Sequence, residues 1–248
     1  SLGKQPDTLA LKDLHVALVR QFLESIRGER KCTPRTRNQR LAALKSFFRY
    51  VASVVPEHLE RCRLIREVRN QKVEHRTVEY LEPEQVAALC RSANETARHG
   101  SRDLALLALM YNTGGRVQEI ADLDVTDLRL ETIAKVRLRG KGRKERDVPL
   151  WSETVRLLQR WLATRPSDLQ QRAPLFVNSR GERLTRWGIA DILKRAARRA
   201  SASCHSLNER RVTPHLMRHT TAMDLLRSGA DLCVIAAWLG HASISTTH

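Results

Sequence analysis

Residues 104–120 read Leu104-Ala105-Leu106-Leu107-Ala108-Leu109-Met110-Tyr111-Asn112-Thr113-Gly114-Gly115-Arg116-Val117-Gln118-Glu119-Ile120. The unbroken apolar run from Leu104 to Met110 predicts a buried helix. Gly114 and Gly115 predict its end, because glycine accepts the left-handed backbone that closes a helix. Arg116 then opens the next helix. A guanidinium beside a buried helix needs an anionic partner. Two partners are open at this point: Glu119, three residues on, or an anionic ligand.

Downstream the period changes. Ala134, Val136 and Leu138 alternate with Lys135 and Arg137 across 132–138, and residues 146–150 resume as a short strand. Between them Gly140-Lys141-Gly142-Arg143-Lys144 is a glycine-bearing turn, so a β-hairpin is expected. A lysine at such a tip is usually solvated, but flanking glycines let the backbone approach a ligand closely. Helices are then expected over 152–164, 185–202, 213–228 and 231–239, with Gly229 and Gly240 at C-terminal positions.

Two of these helices carry chemistry. In Thr213-Pro214-His215-Leu216-Met217-Arg218-His219-Thr220, Thr213 is an N-cap and Pro214 the first helical residue. His215 and Arg218, three apart, share a face beside free backbone N–H groups, which suits a phosphate. Metal binding by His215 and His219 is the rival reading, but the adjacent Glu of the zinc-protease pattern and a third ligand are missing. No metal is therefore expected. In Trp238-Leu239-Gly240-His241, a histidine directly follows the glycine that ends an apolar helix, where it could simply cap the helix.

Upstream, the first 75 or so residues read as all-helical. Leu14, Leu18, Phe22 and Ile26 recur at helical spacing up to Gly28. Thr33-Pro34 opens a helix with Leu41, Leu44, Phe47, Phe48 and Val51 on one face, and Arg35, Arg37, Arg40 and Lys45 largely elsewhere. Pro56 starts an arginine-rich helix, and the hydrophilic stretch 70–79 reads as an unpacked linker. The chain is thus mainly α with a small β-sheet or hairpin in its second domain.

Charge narrows the function. The 248 residues hold 44 Lys+Arg against 27 Asp+Glu, a net +17, and such a field makes nucleic acid the default partner. The excess is shared: 17 basic against 8 acidic residues in 1–78, and 27 against 19 in 79–248. Cationic surfaces in both halves suit a protein that wraps its ligand. Five scattered cysteines (Cys32, Cys62, Cys90, Cys204, Cys233) with no Cys-x-x-Cys pair fit neither a zinc site nor a disulfide framework. No apolar run approaches the ~18–20 residues that span a bilayer, and the N-terminus lacks a signal-peptide stretch. The reading is a soluble, cytoplasmic protein acting at the bacterial nucleoid.

Taken together, these segments resemble the tyrosine recombinase (phage integrase) family. The first-arginine box is similar to 113–120, the lysine hairpin to 140–146, the His-x-x-Arg box to 213–220 and the final histidine box to Leu239-Gly240-His241. All four occur in family order. The resemblance implies a helical core-binding domain (1–75), a linker (70–79) and an α+β catalytic domain (79–248) that continues into a C-terminal tail. It implies site-specific cleavage and rejoining of double-stranded DNA through a 3′-phosphotyrosine, in integration, excision or transposition of mobile DNA, by a homotetramer on paired sites and without a cofactor. Arg116 and Arg218 would stabilise charge on the non-bridging oxygens, His215 and His241 would position the phosphate and assist proton transfer, and Lys141 would protonate the departing 5′ oxygen. Arg35, Arg37, Arg40, Lys45, Arg143 and Lys144 would bind DNA, the two domains gripping opposite faces of the duplex as a clamp.

One element departs from the pattern. The family's nucleophilic tyrosine is expected about nine residues after the last histidine, near position 250, whereas the tyrosines here are Tyr50, Tyr80 and Tyr111. The expectation is a nucleophile beyond His248, leaving this stretch by itself inactive in cleavage. A type IB topoisomerase, or a non-catalytic DNA-binding protein if the natural chain ends here, is the alternative.

Overall fold

The computed structural model describes residues 10–29, 31–73, 79–93, 99–140, 142, 144–165 and 173–240. Lys141, Arg143, His241 and residues 74–78 of the expected linker lie outside the described residues. The chain divides into two compact units, Ser1–Thr77 and Val78–His248, and each has its own apolar cluster. No described helix is long and apolar enough to cross a membrane.

The first unit packs α1 (Val16–Gly28), α2 (Pro34–Val54) and α3 (Leu59–Arg66). As expected, Thr33 caps α2, its side chain accepting from the Thr36 N–H, with Pro34 in the first turn. The buried stripe of α1 is Val19, Leu23 and Ile26; of the expected Leu14, Leu18, Phe22 and Ile26, only Ile26 is in it, and Phe22 is 40% exposed. The reason is geometric. At about 100° per residue, a strict four-residue row drifts some 40° per step and leaves the face, whereas mixed steps of three and four hold it. Phe47 likewise turns outward while Leu41, Phe48 and Val51 are buried. The expected unpacked linker begins tied down. The Asn38 side chain donates to the Gln71 carbonyl (2.8 Å) and accepts from its N–H (2.9 Å), because an amide side chain can pair with a backbone peptide through both its groups.

The second unit wraps helices around a buried one. It contains α4 (Pro83–Arg91), α5 (Gly100–Thr113), α6 (Val117–Ala121), β1 (Leu128–Arg129), β2 (Lys135–Arg139), β3 (Glu145–Pro149), α7 (Ser152–Ala163), α8 (Arg186–Ala200), α9 (Pro214–Arg227) and α10 (Leu232–Leu239). The apolar run makes α5 the centre: every residue from Leu104 to Met110 is buried, against α4, α7 and α9. The strands form an antiparallel sheet in the order β1-β2-β3, with Val136 opposite Val148 and Leu138 opposite Arg146. Val136, Leu138 and Val148 are buried, so Arg146 stands on the core-facing side of the sheet.

Gly114 closes α5 in the left-handed region, φ 55°. A Cβ there would lie 2.5 Å from Leu239 Cδ2 and 3.2 Å from Thr221 Cβ, so α9 and α10 approach this backbone as only glycine allows. Gly181 also has positive φ (82°) but nothing within 4 Å of an added Cβ. Gly114→Ala should therefore destabilise the protein by about 2–4 kcal/mol, combining left-handed strain with overpacking. Gly181→Ala should cost about 1 kcal/mol from backbone strain alone. Denaturant unfolding of the two variants checks this; equal losses would refute the packing argument.

Candidate active site

The site is built at the C-terminus of α10. A helix ends with carbonyls that lack intrahelical partners and with a partial negative charge. Here three successive carbonyls accept from three different arginines. Arg146 Nε donates to the Trp238 carbonyl (2.9 Å), Arg218 Nη2 to Leu239 (2.7 Å) and Arg116 Nη2 to Gly240 (3.4 Å). Gly240 turns left-handed at φ 67°, which brings its backbone against the Arg146 guanidinium.

Each arginine comes from a different element. Arg116 is the N-cap of α6, delivered by the glycine turn after α5. Arg218 lies in the second turn of α9, whose start is fixed by Thr213 accepting from the Leu216 N–H at 3.2 Å and by Pro214. It is buried, and its Nη1 also donates to the Gly114 carbonyl at 2.7 Å. Arg146 comes from β3.

One carboxylate joins them. Glu119, its side chain 4% exposed, faces Arg116 Nη1 at 2.9 Å and Arg146 Nη2 at 2.7 Å, and it also accepts from the Arg116 backbone N–H at 2.9 Å. The two partners left open for Arg116 are thus compatible. Glu119 takes one edge of a guanidinium that remains 48% exposed, and the group has five N–H donors in all. Burial alone would raise the Glu119 carboxyl, but hydrogen bonds from Arg146 and Arg116 hold it below the ordinary carboxylate value. Arg218 is pushed down to about 10, first by burial and then by the like charges of Arg116 and Arg146, with Glu119 opposing.

His215 is exposed in the first turn of α9. Its Nε2 is 2.9 Å from His219 Nε2, so one ring donates and the other accepts. Burial, followed by the nearness of His215 and Arg218, lowers the His219 pKa and favours its neutral form. Among the described residues, no group of three or more His, Cys, Asp or Glu side chains could hold a metal ion.

The structure therefore brings Arg116 and Arg218 together, with His215 one turn before Arg218 on α9. Lys141 and His241 are outside the described residues; their neighbours Gly140 and Gly240 are described, and an added Cβ on Gly140 would come 3.3 Å from Glu119 Oε1. The expected DNA-binding residues Arg35 and Lys144 are exposed, and Arg40 and Lys45 half-buried. Arg37 is drawn back, donating to Asn38 Oδ1 and to the Arg69 carbonyl. None of the three tyrosines is in the arginine cluster's hydrogen-bond network. Tyr111 donates to Asp224 at 2.7 Å, and burial followed by that carboxylate pushes its pKa up. Tyr80 lies beneath Arg227, and Tyr50 is on α2 in the first unit. Sequence reading missed Arg146 as a site residue, although it stands in phase with Val148 and Leu150 on an alternating strand. A charge at a core-phase position is the signal that could have found it.

Glu119 also links the site to pH. Its folded pKa lies below its ordinary value of 4.5, so its contribution to stability is complete above that value and is lost as pH falls through the folded pKa. Glu119→Gln should be less stable at neutral pH and lose less stability on acidification, so that the two curves converge. Unfolding free energies between about pH 3 and 7 check this; parallel curves would argue against the buried, doubly bridged carboxylate.

Comparison with known proteins identifies the family. The phage integrase family pattern matches residues 79–248. The tyrosine recombinase XerC of Pelobacter propionicus is 35% identical over 241 residues, covering 97% of this chain and 76% of the relative. XerC of Myxococcus xanthus is 35% identical over 238 residues, covering 93% and 75%. Among solved structures, the XerH site-specific recombinase bound to a palindromic difH substrate matches with a TM-score of 0.78 at 24% identity, over 96% of this chain and 69% of that one. The chain belongs to the phage integrase family, the tyrosine recombinases.

Proposed function

We propose that this protein cleaves and rejoins double-stranded DNA at specific sites, with Arg116 and Arg218 holding the scissile phosphate. The observation that carries the reading is the convergence of these two arginines from α6 and α9 at one helix end. Only Arg116 is paired with Glu119, and Arg218 donates to backbone carbonyls alone. Attack on a phosphodiester builds charge on its non-bridging oxygens, and guanidinium groups already fixed in place stabilise that charge without reorganising. His215, at the start of α9, helps orient the phosphate. Lys141 protonates the 5′ oxygen as its bond to phosphorus breaks, and His241 assists proton transfer; general acids contribute roughly 10²–10⁴ in rate. A tyrosine oxygen forms the new bond to phosphorus, and the resulting 3′-phosphotyrosine keeps the energy needed for rejoining. Tyr80 and Tyr111, engaged by Arg227 and Asp224, support a nucleophile other than these two, as the family resemblance implies. The acceptor sites are paired in a homotetramer of the intact gene product.

Arg116→Lys in the intact gene product should lower strand cleavage by about 10²-fold or more, as for loss of one fixed charge-stabilising donor. DNA affinity should fall far less. The measurement is single-turnover cleavage of a nicked suicide substrate, with the denaturant-stable protein–DNA adduct mapped by mass spectrometry. Near-normal cleavage by the variant would sink the assignment, and supercoil relaxation without a preferred site would favour a topoisomerase.

The positive charge on both units supports DNA contacts from each. Binding affinity should fall steeply with salt, each phosphate contact adding roughly 0.9 to the log–log slope. Removing residues 1–78, which leaves the second unit's apolar cluster entire, should reduce that slope. Salt titrations of both forms test it, and equal slopes would mean that Arg35, Arg37, Arg40 and Lys45 do not touch the backbone.

A further inference from the structure

We propose that Arg146 is a positioning residue for strand cleavage, fixing Arg116 through Glu119 and through the last turn of α10. The proposal rests on the reading of Arg116 as a phosphate ligand.

Three observations carry it. First, the register of the sheet puts Arg146 opposite Leu138 on the core-facing side, in phase with the buried Val148. Its side chain is 12% exposed, and a buried cation is costly unless its donors are taken. Second, those donors are taken by parts of the site. Nε holds the Trp238 carbonyl at 2.9 Å, and Nη2 holds Glu119 Oε2 at 2.7 Å. The other Glu119 oxygen holds Arg116 Nη1. Third, Gly240, whose carbonyl accepts from Arg116, has no room for a Cβ: one would meet Arg146 Nη1 at 2.7 Å and Cζ at 3.0 Å. The backbone at the end of α10 is therefore seated on this guanidinium.

The consequence is directional. Glu119 has a choice of orientations, and a carboxylate paired with Arg116 alone could swing with it. Pinned from the far side by Arg146, it presents a fixed edge to Arg116, whose half-exposed guanidinium then has one orientation in which to meet a phosphate. Arg146 also joins β3, the strand that follows Lys141 in the sequence, to the helix that precedes His241. Planarity matters, because two donors of one rigid fork serve two different elements. A lysine would keep the charge and lose one of the two contacts.

The test is a double-mutant cycle in the intact gene product, using Arg146→Lys, Arg116→Lys and the double variant. Single-turnover cleavage at saturating DNA, DNA affinity and thermal midpoint are measured for each. Lysine at 116 keeps enough residual cleavage for the comparison. Arg146→Lys should slow cleavage on the order of 10- to 100-fold, as expected for small misplacement of a group that orients the reacting phosphate, with affinity changed less than about 2-fold. The double variant should be no slower than Arg116→Lys alone, since both act through one guanidinium. Multiplicative losses, or wild-type cleavage by Arg146→Lys, would overturn the proposal. If Arg146→Lys does not fold, Glu119→Gln takes its place in the cycle with the same expectations, because it removes the charge that links the two arginines. Slow cleavage by Arg116→Lys together with normal cleavage by Arg146→Lys overturns this inference alone. Normal cleavage by Arg116→Lys overturns the functional reading beneath it.

Discussion

The structure around the candidate site depends on one constraint: the C-terminal carbonyls of α10 have no partners in their own helix, and arginines from three other elements satisfy them. The Leu239 carbonyl is buried, and leaving it without a donor would cost about 1–3 kcal/mol, so this helix end fixes where α9 must stand. The partly exposed contacts to Arg146 and Arg116 join β3 and α6 to it. The segments involved are far apart in the chain; Arg218 reaches Gly114 across 104 positions. Local interactions cannot bring such groups together. Hydrogen bonding to one shared helix end can, and it does so with the angular selectivity of a planar fork.

The apolar framework makes that convergence possible. The α5 helix is buried along its whole apolar run, so its end at Gly114 is a fixed point. From there the chain turns into α6 and delivers Arg116. The α9 helix packs on the same α5, and Tyr111 and Thr221 tie the two helices, the Thr221 hydroxyl donating to the Tyr111 carbonyl at 2.6 Å. Thr220 accepts from the Leu81 N–H at 2.9 Å, which fastens α9 a second time, to the start of the second unit. Together these ties hold α9 in the orientation in which Arg218 is buried.

Much of this was legible in the residues. The Thr213-Pro214 start and the glycines at 114 and 240 each state a local backbone preference that the structure follows, while the strand expected over 132–138 forms over Lys135–Arg139. Periodicity was a poorer guide where apolar residues exceed what one face can bury. In α1 and α2, Phe22 and Phe47 fit a helical spacing yet lie outside the stripe. Strand β1, two residues long, is too short to show a period. The tie between Asn38 and Gln71 was invisible because a polar stretch reads the same whether solvated or bound to a neighbouring amide. Most of the site's geometry was illegible for a deeper reason: which carbonyl each arginine meets is decided by tertiary packing, on which composition and spacing are silent.

The charge balance at this helix end is consistent with the phosphate-binding role proposed for the cluster. Arg116, Arg146 and Arg218 carry three positive charges, and Glu119, paired with Arg116 and Arg146, carries one negative charge. With no carboxylate the cations would repel one another across a poorly solvated space, and burial would add its own penalty. With three carboxylates the cluster would be a closed salt-bridge network, and a phosphate would have to displace one of them. A single carboxylate together with the negative end of α10 leaves the cluster cationic yet foldable. Arg218 shows the residual tension, its proton held less tightly than that of a free arginine. A phosphodiester entering beside Arg116 would relieve that repulsion and replace water with fixed donors. In the proposed reaction, the same excess charge that costs the free protein some stability would become binding free energy for the phosphate, growing as negative charge accumulates on its oxygens.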